Sequence, residues 1–242
     1  SSTKMKLLDR LLELNLLPDF ILRNAIRKRL KNTLKKQKES NQELQDEKLQ
    51  KLVDQLKRSP VAIHTNEANK QHYEVPVAFF EIVLGPWLKY SCGYWDENTA
   101  SLRDSEEKML ELTIERAEIE NGTEILDLGC GWGSFSLYAA RKFPDKNFTA
   151  VSNSASQKQF ITARAEHLKL KNLRAITSDV NDFKPDSRFD RIVSVEMFEH
   201  VRNYRFLFDR IYHWLQPGGK LFIHIFNHRE FAYTFNAENN EE

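Results

Sequence analysis

The sequence predicts an α/β fold in which a parallel sheet carries helices on both faces, with a helical region before it. From residue 122 onward, short β-rich apolar segments alternate with longer segments of helical pattern. The first of these apolar segments runs directly into a glycine-rich turn. Strands that alternate with helices form parallel sheets with right-handed crossovers, so this order of segments indicates a three-layer core.

Composition limits the class of protein. The 242 residues are 40% hydrophobic, enough for one sizeable core and an appended region. A formal net charge of +1 argues against a dedicated nucleic-acid binder. The two cysteines, Cys92 and Cys130, fall in different motifs, which argues against a disulfide framework. No apolar run approaches the roughly 20 residues of a membrane span and no signal-peptide pattern is seen, so we expect a cytoplasmic protein.

Residues 1–60 are predicted to form the N-terminal helical region. Leucines and isoleucines recur at helical spacing, Pro18 interrupts the pattern, and a further amphipathic helix ends before Pro60. Basic residues cluster between Arg23 and Lys38. The simplest interpretation is a solvated helical face; peripheral contact with a membrane surface or an anionic partner is the alternative. A homodimer is left open.

Residues 61–121 are expected to connect this region to the sheet and to cover one edge of the ligand site, with a helix around residues 104–119. Residues 122–242 are predicted to form the core. Its five expected strands lie within residues 123–134, 147–154, 173–180, 189–196 and 219–226. The helices between them are expected within residues 134–143, 156–170 and 204–215.

The glycine-rich turn predicts a ligand. Gly129, Gly131 and Gly133 allow a close approach of the backbone, and ligands of open α/β sheets bind outside the carboxyl ends of the strands. The spacing is G-x-G-x-G, whereas a dinucleotide fingerprint reads G-x-G-x-x-G, and no acidic residue follows the second strand. The pattern favours a nucleotide ligand other than a dinucleotide; a purely structural turn is the alternative.

Three proton-handling side chains follow the fourth strand: Glu196, Glu199 and His200. Histidine titrates near neutral pH, and burial can raise the pKa of a glutamate toward neutrality, so such a set suits acid–base chemistry. Salt bridges or a helix cap are the alternative explanation for each residue alone.

The order of the motifs resembles that of S-adenosylmethionine-dependent methyltransferases, specifically the cyclopropane fatty acid synthase-like branch that includes the coclaurine N-methyltransferases. The motifs are LDLGCGWGS, VSNSASQ, SDVNDF, FDRIVSVEMFEHV and LQPGGKLFIH, joined by NKQHYEVP and LKYSCGYW upstream. The resemblance runs from about Leu7 to Phe235. It implies a Rossmann-like class I methyltransferase core whose last two strands are missing here, so we expect this chain alone to bind cofactor but turn over slowly.

The resemblance implies S-adenosylmethionine as the cofactor. The matching positions are Tyr73, Ser91, Asp127, Gly129, Gly131, Gly133, Asn153, Gln157, Asp179 and Val180. The first two would close over the cofactor from the N-terminal side, and Asp127 and the glycines would face its methionine part. The next two would lie at the ribose and the last two at the adenine.

The resemblance also implies methylation of a small-molecule amine. Methyl transfer from a sulfonium is an in-line displacement, so the protein must position the nucleophile and exclude water. An amine must also lose its proton to free its lone pair. Glu196, Glu199 and His200 resemble the catalytic Glu-x-x-Glu-His pattern of the coclaurine-type enzymes, which places this acid–base set beside the methyl group.

The alternative within the family is methylene transfer to an unsaturated phospholipid chain, with bicarbonate removing a proton. Cys92, Glu199 and His224 match the bicarbonate ligands of the cyclopropane synthases. The sequence lacks the glycine that typically follows the Glu-His-Val motif in those synthases, and Glu196 stands where they commonly carry glycine. Both differences favour the amine.

Two further alternatives are a cofactor-binding protein without turnover and a metal hydrolase. The intact glycine turn and acid–base set argue against the first. His224, His228 and Glu230 lack the helical spacing of a zinc hydrolase motif, so no metal is expected.

Overall fold

The computed structural model describes residues 10–14, 16–62 and 75–233. Contacts between residues divide the chain into two units. The described part of the first unit contains the residues up to Leu52 together with His228–Ala232. The second unit contains Val53–Asn227 and Tyr233.

The first unit is built around helix α1, Asp19–Gln37, and most of helix α2, Gln42–Arg58. Helix α1 begins after Pro18, whose fixed φ suits the start of a helix. At its other end, Nζ of Lys48 donates hydrogen bonds to the carbonyl oxygen of Gln37 at 3.1 Å and to Oε1 of Glu39 at 3.0 Å. Neither helix buries a side chain, so the apolar residues at helical spacing lie largely exposed.

The second unit contains the predicted parallel sheet. Its strands are β1 (Glu124–Leu128), β2 (Asn147–Ser152), β3 (Leu173–Thr177), β4 (Phe189–Val195) and β5 (Leu215–His224). Their order is β3-β2-β1-β4-β5, and every neighbouring pair is parallel. Since β2 and β4 lie on opposite sides of β1, the carboxyl ends of β1 and β4 form the switch point at which such sheets bind ligands.

Helices cover both faces of this sheet, as predicted. They are α3 (Val77–Val83), α4 (Leu102–Arg116), α5 (Ser134–Lys142), α6 (Ala155–His167) and α7 (Tyr204–Trp214). Side chains alternate along a strand, so Ile125 and Leu126 of β1 enter opposite cores. Ile125 packs in a cluster with Leu110 of α4, and Leu126 packs in a cluster with Leu207 of α7.

The segment that ends at Ala62 is fixed to the carboxyl edge of the sheet. Nδ2 of Asn203 donates to the carbonyl oxygens of Lys57 and Ser59, both at 2.9 Å. Ala62 forms an antiparallel bridge with Val201. This segment therefore borders the residues that follow β4. Among the described helices, none combines the length and the apolar character that crossing a membrane requires.

Candidate functional site

The glycine turn after β1 combines tight packing with one open position. Gly129, Gly131 and Gly133 have φ of 81°, 53° and 77°, in the left-handed region that favours glycine. A Cβ at Gly129 would lie 2.5 Å from Cγ of Met197, and one at Gly133 would lie 2.7 Å from Cγ1 of Ile161. A Cβ at Gly131 would meet no atom within 4 Å. The outer two glycines therefore allow packing, while Gly131 faces space that a ligand can enter.

Asp127 lies at the base of this turn, 3% exposed. Oγ of Ser136 donates to its Oδ2 at 2.6 Å, which ties the turn to α5. Burial raises the pKa of Asp127 from 3.8 to about 6, against the opposing effects of Ser136 and of the positive charge of Lys89. A cationic ligand group beside this carboxylate would favour its ionised form.

Gln157 lies close to the end of β2 with a buried donor. Its side chain is 2% exposed, and Oγ of Ser152 donates to its Oε1. Its backbone N–H donates to Oγ of Ser154, the residue that caps α6. Among the described residues, Nε2 of Gln157 has no hydrogen-bond partner. A buried, unsatisfied donor costs about 1–3 kcal/mol, so this group fits a ligand acceptor such as a ribose hydroxyl. Asn153, half-buried, precedes this cap.

Asp179 and Val180 form a fixed turn after β3. Oδ1 of Asp179 accepts from both the backbone N–H and Nδ2 of Asn181, each at 2.7 Å. The carbonyl oxygen of Val180 accepts from Nη1 of Arg210 at 3.0 Å. The predicted adenine position is thus held in place by local hydrogen bonds. Tyr73, predicted to close over the cofactor, lies outside the described residues.

The loop that carries Ser91 also contains a buried lysine that sequence analysis missed. Lys89 is 5% exposed, and its Nζ donates to Oγ of Ser91. The buried carboxylate of Glu106 accepts from the backbone N–H groups of Gly85, Trp87 and Lys89, each at 3.0 Å. Glu106 therefore anchors the loop. The signal for Lys89 was present in the sequence, since a lysine within LKYSCGYW interrupts an otherwise apolar and aromatic motif.

Glu196 joins three segments at the ends of β4 and β5. Its backbone N–H donates to the carbonyl oxygen of His224 at 2.7 Å, and its Oε1 accepts from the backbone N–H of Cys92 at 3.1 Å. Sγ of Cys92 lies 3.8 Å from Nε2 of His224. One potential ligand atom from each of these three side chains lies within 4.8 Å of the others. Two of the three residues predicted to bind bicarbonate in the lipid alternative, Cys92 and His224, are therefore grouped around the carboxylate of Glu196.

The protonation of the two neighbours of Glu196 follows from this grouping. Burial and then the negative charge of Glu196 raise the pKa of the Cys92 thiol, so it stays protonated near neutral pH. Burial lowers the pKa of His224, which favours its neutral imidazole. Neither a thiolate nucleophile nor a cationic histidine is therefore favoured beside Glu196.

Glu199 lies in the 3-10 turn Phe198–His200 that follows β4. Its Oε1 accepts from the backbone N–H of Phe226 at 2.9 Å. Within the part of the chain that the structure describes, its buried Oε2 has no hydrogen-bond partner. Burial raises the pKa of Glu199, and the negative charge of Glu196 adds to this effect. A half-buried carboxylate of raised pKa with one free oxygen is suited to accept a proton.

His200 ends the same turn and is exposed. The structure thus brings Glu196, Glu199, Cys92 and His224 to the carboxyl edge of β4 and β5, with His200 on its solvent side.

The family model described as mycolic acid cyclopropane synthetase matches residues 62–240. The chain is 37% identical over 224 residues to (S)-coclaurine N-methyltransferase of Thalictrum flavum subsp. glaucum, covering 93% of this chain and 62% of that protein. It is 35% identical over 157 residues to the cyclopropane-fatty-acyl-phospholipid synthase of Escherichia coli K12, covering 64% of this chain and 39% of that protein.

A solved structure of coclaurine N-methyltransferase bound to N-methylheliamine and SAH is similar over 95% of this chain and 66% of that one. The TM-score is 0.87 at 35% identity. This chain thus spans less than two thirds of the length of the plant N-methyltransferases it matches.

Proposed function

The chain belongs to the mycolic acid cyclopropane synthetase family, and we propose that within this family it is an S-adenosylmethionine-dependent methyltransferase acting on the nitrogen of a small-molecule amine. The observation that favours an amine over a lipid as the methyl acceptor is the hydrogen bond from the Cys92 backbone N–H to the Glu196 carboxylate. In the lipid alternative, an external bicarbonate would have to bind beside Cys92, Glu199 and His224. Glu196 already supplies a carboxylate to the Cys92 N–H, and its negative charge disfavours a second anion there.

The described residues fit the cofactor at three separate points. Gly131 faces open space, Asp127 offers a buried carboxylate to an amino group, and Nε2 of Gln157 needs an acceptor. The cofactor, when bound, supplies an electrophilic methyl group on a sulfonium. The glycine turn and the end of β2 would hold it at the switch point of the sheet, where Glu196 and Glu199 follow the neighbouring strand.

Glu199 is the group best placed to take the proton from an ammonium substrate. The raised pKa of Glu199 lies closer to the pKa of an ammonium substrate than the pKa of an exposed glutamate does. Its Oε1 is held by the Phe226 N–H, so the proton would pass from the substrate nitrogen to Oε2. Glu196 adds negative charge that attracts the cationic form of the amine.

Methylene transfer to an unsaturated lipid is the second candidate. The observation that favours it is the approach of Cys92 Sγ to His224 Nε2, which preserves the residue pair expected of a bicarbonate pocket.

Mass spectrometry with methyl-labelled cofactor tests the proposal. The chain is incubated separately with a panel of cyclic secondary amines and with vesicles of unsaturated phospholipid. We expect labelled N-methyl product from at least one amine and no labelled lipid. Labelled lipid without any labelled amine would overturn the proposal in favour of the second candidate. Cofactor binding without any labelled product would indicate a binding protein without turnover.

A further inference from the structure

Lys89 is a buried cation that makes no ion pair with a carboxylate in the described part of the chain. It is 5% exposed, and its Nζ donates to the neutral hydroxyl of Ser91. Among the described residues, no carboxylate oxygen lies within 4.0 Å of Nζ of Lys89, the limit for an ion pair. Buried lysines are rare unless paired, because desolvation of the charge is costly. The position of Lys89 therefore calls for a charged partner, and the residues that the structure describes do not supply one.

The nearby acidic groups are already engaged elsewhere. The buried carboxylate of Glu106 accepts three backbone N–H groups, Asp127 accepts from Ser136, and Glu196 accepts from the N–H of Cys92. Burial lowers the pKa of Lys89, and Cys92, Glu196, Glu106 and Asp127 act in the opposite direction. These groups favour the ammonium form through space but do not make contact with it.

Lys89 lies beside the predicted cofactor site. Ser91 is a predicted cofactor contact, and Cys92 is joined to Glu196 at the end of β4. Val193, three residues before Glu196, pairs with Asp127 at the start of the glycine turn. The ammonium of Lys89 and the carboxylate of Asp127 thus lie at the same switch point, which offers one buried positive group and one buried negative group to a ligand.

An amino-acid group carries the complementary pair of charges. We propose that Lys89, together with Ser91, binds the carboxylate of the methionine part of the cofactor, while Asp127 receives its amino group. The assignment rests on the proposed function. It gives the buried ammonium a charged partner that the described residues do not supply.

A purely compensating role is the competing explanation. Lys89 could serve only to offset the negative charges of Asp127 and Glu196, in which case its removal would affect all ligands of the site alike. A ligand that lacks the carboxylate distinguishes the two roles.

Calorimetry with two ligands makes this distinction without any turnover. S-adenosylhomocysteine carries the carboxylate, and its decarboxylated analogue keeps the amino group but lacks it. We expect the wild-type chain to bind the first about 10- to 100-fold more tightly, the range of a hydrogen bond between charged groups. In Lys89→Met, we expect the Kd of S-adenosylhomocysteine to rise by a similar factor and the Kd of the analogue to stay within about threefold.

Lys171→Met is the matched control, because Lys171 is exposed and lies in the segment before β3. Its two Kd values should equal those of the wild type. A Lys89→Met chain that keeps the wild-type preference would overturn the assignment while leaving cofactor binding intact.

Equal binding of both ligands by the wild-type chain would also overturn it, and this result needs no variant. Binding of neither ligand would overturn the proposed function together with the assignment.

Discussion

The carboxylate of Glu196 accepts a hydrogen bond from the backbone N–H of Cys92, although 104 residues separate them in sequence. This bond connects the loop before α4 with the end of β4. It places a fixed negative charge at the point where an enzyme acting on lipid would require an external anion.

Replacing Glu196 by glycine should empty the anion position without disturbing the backbone. Glu196 has φ of 51°, which glycine adopts more readily than glutamate. Relief of the left-handed backbone and loss of the hydrogen bond from the Cys92 N–H, each about 1 kcal/mol, should offset each other in the free energy of unfolding. We expect the cofactor Kd to be unchanged and amine methylation to fall by about 100-fold. Added bicarbonate or formate should restore part of the rate in Glu196→Gly but not in the wild type. Unchanged methylation without any added anion would contradict the role of this carboxylate.

Glu199→Gln should remove the acidic limb of the pH–rate profile. The pKa of Glu199 is raised by burial, so in the wild type kcat/KM should fall as pH drops through this raised value and the base becomes protonated. The variant should be about 100- to 10,000-fold slower, without that limb and with the same cofactor Kd. The rise that reflects deprotonation of the substrate amine should persist in both. If Glu199→Gln kept the acidic limb of the pH–rate profile and lost cofactor affinity by the same factor as its rate, Glu199 would have a structural role instead.

Asp127→Asn should stabilise the fold and weaken the cofactor. The folded pKa of about 6 lies above the ordinary 3.8, so the stability that protonated Asp127 contributes is lost as pH rises between these values. The difference corresponds to about 3 kcal/mol at neutral pH. We expect chemical denaturation to show Asp127→Asn more stable by up to this amount at pH 7 and equal to the wild type at pH 3. Cofactor Kd should rise about tenfold or more, through loss of a charged hydrogen bond.

The opposite order of stabilities at neutral pH would contradict the burial argument for Asp127. Unchanged cofactor affinity would separate this carboxylate from the ligand. Denaturation and cofactor binding are measured on the same two proteins, the wild type and Asp127→Asn. The first measurement therefore tests burial of the carboxylate, and the second tests its contact with the ligand.

Gly131→Ala should weaken cofactor binding strongly with only a small loss of stability. Gly131 and Gly218 both have positive φ, 53° and 78°, and a Cβ at either would meet no atom within 4 Å. Each alanine should cost about 1–2 kcal/mol of folding stability through the left-handed backbone. Only the Cβ at Gly131 would enter the proposed ligand space, so calorimetry should show weak binding for Gly131→Ala and wild-type binding for Gly218→Ala. Equal binding by the two variants would place the ligand elsewhere.

The sequence predicted the sheet because alternation of strand and helix is a local pattern. All five strands lie close to their expected positions, and the glycine turn has the positive φ values that its composition suggests. The largest difference is β5, which begins at Leu215, four residues before the predicted Gly219. There Leu215 pairs with Phe189 while Lys220 pairs with Arg191, so an irregularity around Gly218 extends the strand backwards. Such pairing depends on a partner strand and is not visible locally.

The sequence predicted which residues lie at the site, but it did not predict the hydrogen bonds and the burial that determine their chemistry. The sequence predicted Glu196, Glu199 and His200 as an acid–base set, but only the structure shows that Glu196 accepts from the N–H of Cys92 and that burial raises the pKa of Glu199. Lys89 was missed because its significance lies in a lack of charged partners within the described residues, which depends on long-range packing. The contact of Tyr73 with the cofactor stays a prediction.

The most direct test places both acceptors in one reaction with methyl-labelled cofactor: a cyclic secondary amine and vesicles of unsaturated phospholipid. Mass spectrometry then measures how the label is partitioned between them. Because the carboxylate of Glu196 occupies the place of an external anion, we expect label in the amine and none in the lipid, with or without bicarbonate. Label in the lipid alone, increasing with bicarbonate, would contradict the assignment of this site to amine methylation.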